Sequence, residues 1–151
     1  MLYKDLLNTI TECPFCEPLR MNKIIAKNED CFLTYSIAPY HQHHVMVIPY
    51  RHIRSFTELS EKETKSVDDL LRKAAGLLGA LGYNDYTILV RNGETIGNSV
   101  KHVHYHIAPA AIIGDLKRKN ADRIVLEQGD IDKLMKDFEE AESKIQQNIC
   151  I

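Results

Sequence analysis

The segment "SVKHVHYHIAP", residues 99–109, sets His102, His104 and His106 at alternate positions, three of the seven histidines in the chain. With an unperturbed pKa of about 6.5, an imidazole is available in its neutral form at pH 7. It can then act as a nucleophile through one nitrogen, donate a hydrogen bond, or bind a metal. On a strand, residues two apart share a face at about 6–7 Å per step. The three rings would line one side, with Val103, Tyr105 and Ile107 on the other. A merely solvated face would draw Lys, Glu or Thr instead, so the histidine row reads as a site.

The remaining histidines, His41, His43, His44 and His52, lie in "YHQHHVMVIPYRHI" (40–53). A single histidine beside an apolar strand is more often a hydrogen-bonded structural residue than a ligand. Two thiols elsewhere change that balance. "CPFC" gives Cys13 and Cys16 the C-x2-C spacing of a zinc knuckle, which two thiolates and two imidazoles complete as a tetrahedron. Spacing alone leaves two other readings open. A redox pair would want a following helix to lower the first thiol's pKa, which Pro18 interrupts. The two cysteines could also be an incidental buried pair. Cys31 and Cys150 stand alone.

These residues need elements to hold them. "KIIAKN" (23–28) and "DCFLTYSI" (30–37) read as two strands of a hairpin, and "HHVMVIP" (43–49) as a third. Thr57 or Ser60 offers an N-cap, and Ser60 with Glu63 has the spacing of a capping box. Behind it, Val67, Leu70, Leu71, Ala74, Leu77, Leu78 and Leu81 recur with helical period until Gly82. "YTILVR" (86–91) and residues 99–109 read as strands around the turn-rich loop 92–98. A last helix is expected over 131–145, from Ile131, Leu134, Met135, Phe138, Ala141 and Ile145, while residues 111–130 take no clear assignment. The order predicts an α+β fold, an antiparallel sheet of about five strands with a central and a C-terminal helix.

The chain has 151 residues, 44% hydrophobic and 26% charged, enough for a core without disulfides. No repeat, low-complexity tract or linker divides it, so residues 1–151 are expected to form a single domain. A net charge of −2 argues against a nucleic-acid partner, and "KRKN" (117–120) with Arg123 reads as a solvated loop. No apolar run reaches the roughly 18–20 residues of a membrane span, and the N-terminus lacks the features of a signal peptide. A cytoplasmic location with reduced thiols is the expectation.

Three separated segments carry a family resemblance. "HVHYHIA" (102–108) resembles the histidine-triad motif that defines the HIT superfamily. "GNSVKHVHYH" looks like the Gly-Gln-Ser/Thr-Val stretch of the Hint and Fhit branches, with Asn98 where Gln is usual. "HHVMVIPYRHI" (43–53) is similar to the family's His-x-apolar-apolar-Val-x-Pro-x-x-His segment. The resemblance runs from Cys13 to Pro109 and implies a zinc-containing Hint/Fhit-like member. Residues 1–22 would be a zinc-knuckle segment and 110–151 a C-terminal extension with a helix.

By that resemblance the protein would hydrolyse or transfer nucleotides at the α-phosphate, through a covalent nucleotidyl adduct on His104. His106 and His44 would donate to the phosphoryl oxygens and Ser99 would serve the bridging or leaving atom. Ser36, Asn92, Asn98, Ser99 and His106 would bind the nucleotide, and Cys13, Cys16, His52 and His102 would hold a structural zinc. The implied substrates are purine phosphoramidates, dinucleoside polyphosphates or adenylylated molecules. The same intermediate serves a dinucleoside polyphosphate phosphorylase, and a non-catalytic nucleotide-binding module is the reading from another class. A homodimer with the central helix near the contact is also implied. Two departures bear on the pocket. Ser36 stands where those branches have a ribose-contacting Asp or Asn, and it cannot accept bidentately from two hydroxyls. His41 and Gln42 replace the small residue and Pro usual in that loop.

Overall fold

Five short strands and two long helices form the frame of the protein. The computed structural model describes residues 1–16, 23–93, 95–96, 98–110 and 124–149. The basic cluster at 117–120 and Arg123, Cys150 and the end of the knuckle segment lie outside these residues.

The strands are β1 (Ile24–Lys27), β2 (Cys31–Tyr35), β3 (Val45–Pro49), β4 (Tyr86–Val90) and β5 (Tyr105–Pro109). They form one sheet in the order β1-β2-β3-β5-β4, with every neighbouring pair antiparallel. The β1–β2 hairpin is closed by Asn28, whose Oδ1 accepts from the backbone N–H of Asp30 and Cys31. This is the expected α+β architecture with its five strands.

Between β3 and β4 runs the central helix α2 (Glu61–Ala80). Its N-terminus is the predicted capping box: Ser60 Oγ accepts from Glu63 N–H at 3.1 Å, and Glu63 Oε2 accepts from Ser60 N–H at 2.8 Å. A second box, Ser55 with Glu58, caps the one-turn 3-10 helix Phe56–Glu58 just upstream. At the other end Gly82 adopts φ +92°, and the N–H groups of Tyr83 and Gly82 turn back to Leu78 and Gly79 carbonyls, each at 2.9 Å. That is a Schellman motif, and it explains why the period stops there.

Helix α3 (Gln128–Ile149) packs on α2, and together they cover one face of the sheet. Leu33, Tyr35, Val45, Val47 and Ile107 from the strands meet Val67, Leu70, Ala74, Leu77 and Leu78 of α2. Ile131, Leu134, Phe138 and Ala141 of α3 close the same core. Each large aliphatic or aromatic side chain buried here contributes on the order of 1.5–3 kcal/mol. The opposite face carries a smaller cluster, Phe32, Met46 and Ile48 with Phe15 and Val100. With both faces covered, β2 and β3 are buried along their whole length, which accounts for apolar runs in place of strict alternation.

Two expectations are corrected. The strand predicted over 99–109 begins only at Tyr105, which pairs with Val47 and Val90. β4 ends at Val90, opposite Tyr105, and upstream of that pair the backbone bonds elsewhere. His102 N–H bonds Val100 O, and Val103 N–H reaches Ile53 O at 2.8 Å. The three histidines are therefore not in one strand row. Second, the N-terminus contains a short helix, α1 (Tyr3–Leu7), that was not anticipated. Met1 O accepts from Val125 N–H, and Leu2 forms a bridge with Ile124, so this segment is tied to the residues leading into α3.

The loop before β3 is anchored to α3 by His43. Its Nε2 lies 2.7 Å from Asp137 Oδ2 and its Nδ1 lies 3.0 Å from Tyr83 Oη. That anchor sets the entry of the next residue, His44, into the sheet.

Candidate functional site

Register decides which side of the sheet carries the chemistry. His106 pairs with Met46, so both side chains point to the face opposite the helices. His104, two residues earlier, shares that side and makes an edge-on ring contact with His106 at 4.7 Å between centroids. Both histidines are buried and both line a cleft of about 730 Å³, its open mouth included. Ser36, Asn98 and Ser99 are also in its wall.

The tautomers follow from the partners. His104 Nδ1 lies 2.7 Å from the carbonyl oxygen of His102, which can only accept, so Nδ1 carries the hydrogen and Nε2 the lone pair. Tyr40 N–H donates to His44 Nδ1 at 3.2 Å, which places the His44 hydrogen on Nε2. His44 Nε2 stands 2.9 Å from His106 Nδ1 and donates to it. His106 in turn has its hydrogen on Nε2. One ring is thus set up as a nucleophile and its neighbour as a hydrogen-bond donor.

His44, expected as a second donor to the phosphoryl oxygens, is fully buried behind His106 and is not among the residues that line the cleft. Asn92 is displaced as well. Its Oδ1 accepts from Phe56 N–H at 3.1 Å, on the exposed side of the loop, and the neighbouring residue Arg91 lines the cleft instead. Successive side chains on extended backbone point to opposite sides, so the choice between 91 and 92 is a one-residue matter of register. Asn98 donates through Nδ2 to Arg91 O at 3.4 Å. Its Oδ1 is buried with no hydrogen-bond partner among the described residues, an acceptor available to a bound molecule.

The N-terminal segment supplies the rest of the wall. Tyr3, Leu6, Ile10, Pro14 and Phe15 all line the cleft, and Tyr3 Oη lies 2.7 Å from Ser99 Oγ. The sequence reading missed these residues, although Tyr3, Leu6 and Ile10 have the spacing of one helical face. Phe15 presents its ring edge-on to both His102 and His104, with centroids 5.9 and 5.1 Å away.

Beside the cleft, Cys13, Cys16, His52 and His102 converge, with donor atoms all within 4.8 Å of one another. Cys16 Sγ lies 3.0 Å from His52 Nδ1 and 3.7 Å from His102 Nδ1, while Cys13 Sγ lies 3.4 Å from His102 Nδ1. Tetrahedral bonds of about 2.0–2.3 Å would put donors roughly 3.3–3.8 Å apart, so little movement is needed to close a metal shell. His102 is prepared for it. Its Nε2 donates to Pro49 O at 2.9 Å, leaving Nδ1 as the ligating nitrogen. Burial holds its pKa below the ordinary value, against the opposing pull of the Pro49 carbonyl, and His52 nearby adds to the lowering. The neutral, ligating ring is favoured.

An open five-stranded antiparallel sheet with His104 and His106 on its cleft face and His102 turned to a thiol pair is a histidine-triad architecture. The sequence profile of the HIT domain matches residues 20–111, more than half of the chain, and the protein belongs to that family. An adenosine 5'-monophosphoramidase of Schizosaccharomyces pombe is 31% identical over 100 residues, covering 64% of this chain and 73% of that protein. Among solved structures, a hypothetical histidine triad nucleotide-binding protein of Sulfolobus tokodaii superimposes with a TM-score of 0.75 at 20% identity, over 91% of this chain and 96% of the other. A zinc-bound histidine triad family protein of Mycobacterium smegmatis gives 0.65 at 19% identity, over 88% and 97%.

Proposed function

We propose that the protein is a nucleotide hydrolase or transferase acting at the α-phosphate through a covalent nucleotidyl-His104 intermediate. The observation that carries this reading is the 2.7 Å bond from His104 Nδ1 to His102 O, which holds the lone pair on Nε2. In the first step Nε2 attacks phosphorus and the bond to the leaving group breaks, the leaving group departing with the electron pair. The ring becomes a cationic N-phosphoryl imidazolium whose Nδ1–H remains on the His102 carbonyl. In the second step a water or other acceptor attacks phosphorus as the P–Nε2 bond breaks, its electron pair returning to the ring. The acceptor releases a proton that balances the one taken up by the departed group. His104 returns to the neutral form.

His106 Nε2–H would donate to a non-bridging oxygen, with His44 setting its tautomer. Ser99 Oγ, held by Tyr3, would serve the leaving atom. Ser36 would meet the ribose, and the buried acceptor Asn98 Oδ1 a substrate donor. Adenosine phosphoramidates, dinucleoside polyphosphates and adenylylated molecules are the proposed substrates, the first supported by the phosphoramidase relative. Zinc is the metal proposed for Cys13, Cys16, His52 and His102, supported by the donor set and spacing. Closed by four protein ligands, it would supply structure and leave the chemistry to the histidines. The exposed side chains Tyr86 and Ile88 on the edge strand β4 favour association with a second copy of the chain.

Mass spectrometry after quenching a reaction with adenylyl compounds tests the mechanism. A nucleotidyl adduct on the peptide bearing His104 is expected. His104→Ala is expected to abolish turnover while nucleotide binding is kept, and turnover surviving that change would remove the covalent mechanism. A phosphorylase would reveal itself by needing inorganic phosphate as acceptor. A pure binding module would give neither adduct nor turnover.

A further inference from the structure

Arg91 has no place in the chemistry above, yet it stands in the cleft wall with His104, His106 and Ser99. It is the single Lys or Arg among the described lining residues, and no Asp or Glu accompanies it there. Its Nη2 donates to Tyr40 Oη at 3.0 Å, using one of the five guanidinium donors. The ring of Tyr40 stacks on His44 at 5.2 Å between centroids, and Tyr40 N–H bonds His44 Nδ1. Arg91 is therefore mounted on the same Tyr40–His44–His106 series that orients the phosphate donor. Its guanidinium is held through Tyr40, and no carboxylate stands in the described wall to neutralise it.

A neutral amine leaving group, as in a phosphoramidate, has no use for a cation at this place. A phosphate leaving group carries negative charge in the ground state and gains more as its bond to the α-phosphorus breaks. The planar fork of a guanidinium suits two phosphate oxygens. We infer that Arg91 binds the β-phosphate and makes polyphosphate-linked nucleotides the preferred substrates of this site over phosphoramidates. The inference rests on the reading of the cleft as a nucleotide site and selects one substrate class within it.

The test compares wild type, Arg91→Gln and Arg91→Lys as full-length, metal-replete protein. With diadenosine triphosphate, Arg91→Gln is expected to lower kcat/KM roughly 10- to 100-fold, the range for losing charge-assisted phosphate bonds, and Arg91→Lys to recover part of it. With adenosine 5'-phosphoramidate the same change should stay within about threefold, a control that also reports a folded site. Equal losses on both substrates, or none on either, would overturn the inference. Equilibrium binding of ADP and AMP needs no turnover and keeps the two readings separable. Wild type is expected to favour ADP by roughly tenfold or more, and Arg91→Gln to erase that margin. If wild type turns over neither substrate but shows this margin, the catalytic reading fails and Arg91 stands. If ADP and AMP bind equally to wild type, Arg91 does not read the β-phosphate.

Discussion

His44 Nε2 lies 2.9 Å from His106 Nδ1 in a fully buried contact, with Tyr40 N–H on the far nitrogen of His44. The histidine at position 44 thereby determines which nitrogen of another ring carries the hydrogen. Replacing His44 by Ala would let His106 take either tautomer. The expected outcome is a fall in kcat of roughly 10- to 100-fold, smaller than the 10²–10³ characteristic of removing a transition-state donor outright, as in His106→Ala. Steady-state kinetics on both variants decides it. A His44→Ala loss confined to KM would place His44 in ground-state binding.

Metal removal should act on stability before chemistry. The ligand set joins Cys13 and Cys16 to His52 and His102, residues far apart in sequence, and binding to the folded state alone stabilises it by mass action. Dialysis against a chelator, or Cys16→Ser, is expected to lower the thermal midpoint by on the order of 5–15 °C. Metal analysis of protein purified without chelator should return stoichiometric zinc. A metal-free preparation with an unchanged melt on chelation would dismiss the site.

Tyr3 offers a narrower probe. Its hydroxyl contacts Ser99 Oγ at 2.7 Å from an N-terminal helix of five residues. Tyr3→Phe removes that bond and keeps the ring against the cleft. A three- to tenfold loss of kcat is expected, on the order of one neutral hydrogen bond, with the melting midpoint unchanged. An equal loss for Tyr3→Phe in a Ser99→Ala background would show that the two hydroxyls do not act together.

Acid stability should depend on Glu63. Hydrogen bonds from Arg51, then from Ser60 in the capping box, hold its carboxyl down to about 2 against an ordinary 4.5. A depressed folded-state pKa contributes stability above the unfolded value, and the contribution is lost as pH falls from about 4.5 toward about 2. Glu63→Gln should cost on the order of 1–2 kcal/mol near neutral pH. The difference between the two proteins in thermal melts should shrink across that acid window. A constant difference would mean that the charge is not what matters.

Much of this fold was legible because local rules and the tertiary solution agree. The α2 capping box, its apolar stripe and its Gly82 stop are all decided within a few residues, and the structure keeps each one. The meeting of Cys13, Cys16, His52 and His102 was legible through the family resemblance joined to the C-x2-C spacing. What escaped depends on distant partners. Nothing near Tyr105 announces that β5 starts there, because its neighbours Val47 and Val90 lie far away in sequence. Asn92 was named from the resemblance alone, and only the sheet decides that Arg91, one residue earlier, is the one that lines the cleft. The sequence shows that His44 and His106 belong together but not that His44 stands behind His106, outside the cleft lining.

Residues 13 and 102 are 89 positions apart, yet they meet at 3.4 Å, and His102 lends its carbonyl to His104 Nδ1 while its ring faces the thiols. Closing a loop of that length costs chain entropy that grows slowly with span, on the order of 4 kcal/mol by the scaling for a comparable cross-link. Phe15, seated between the two cysteines and against His104, is delivered by the same closure. The cleft is thus walled on one side by the sheet and on the other by an N-terminal segment that this contact holds against it. A metal held by Cys13, Cys16, His52 and His102 would pin that closure at the point where the cleft wall meets the sheet.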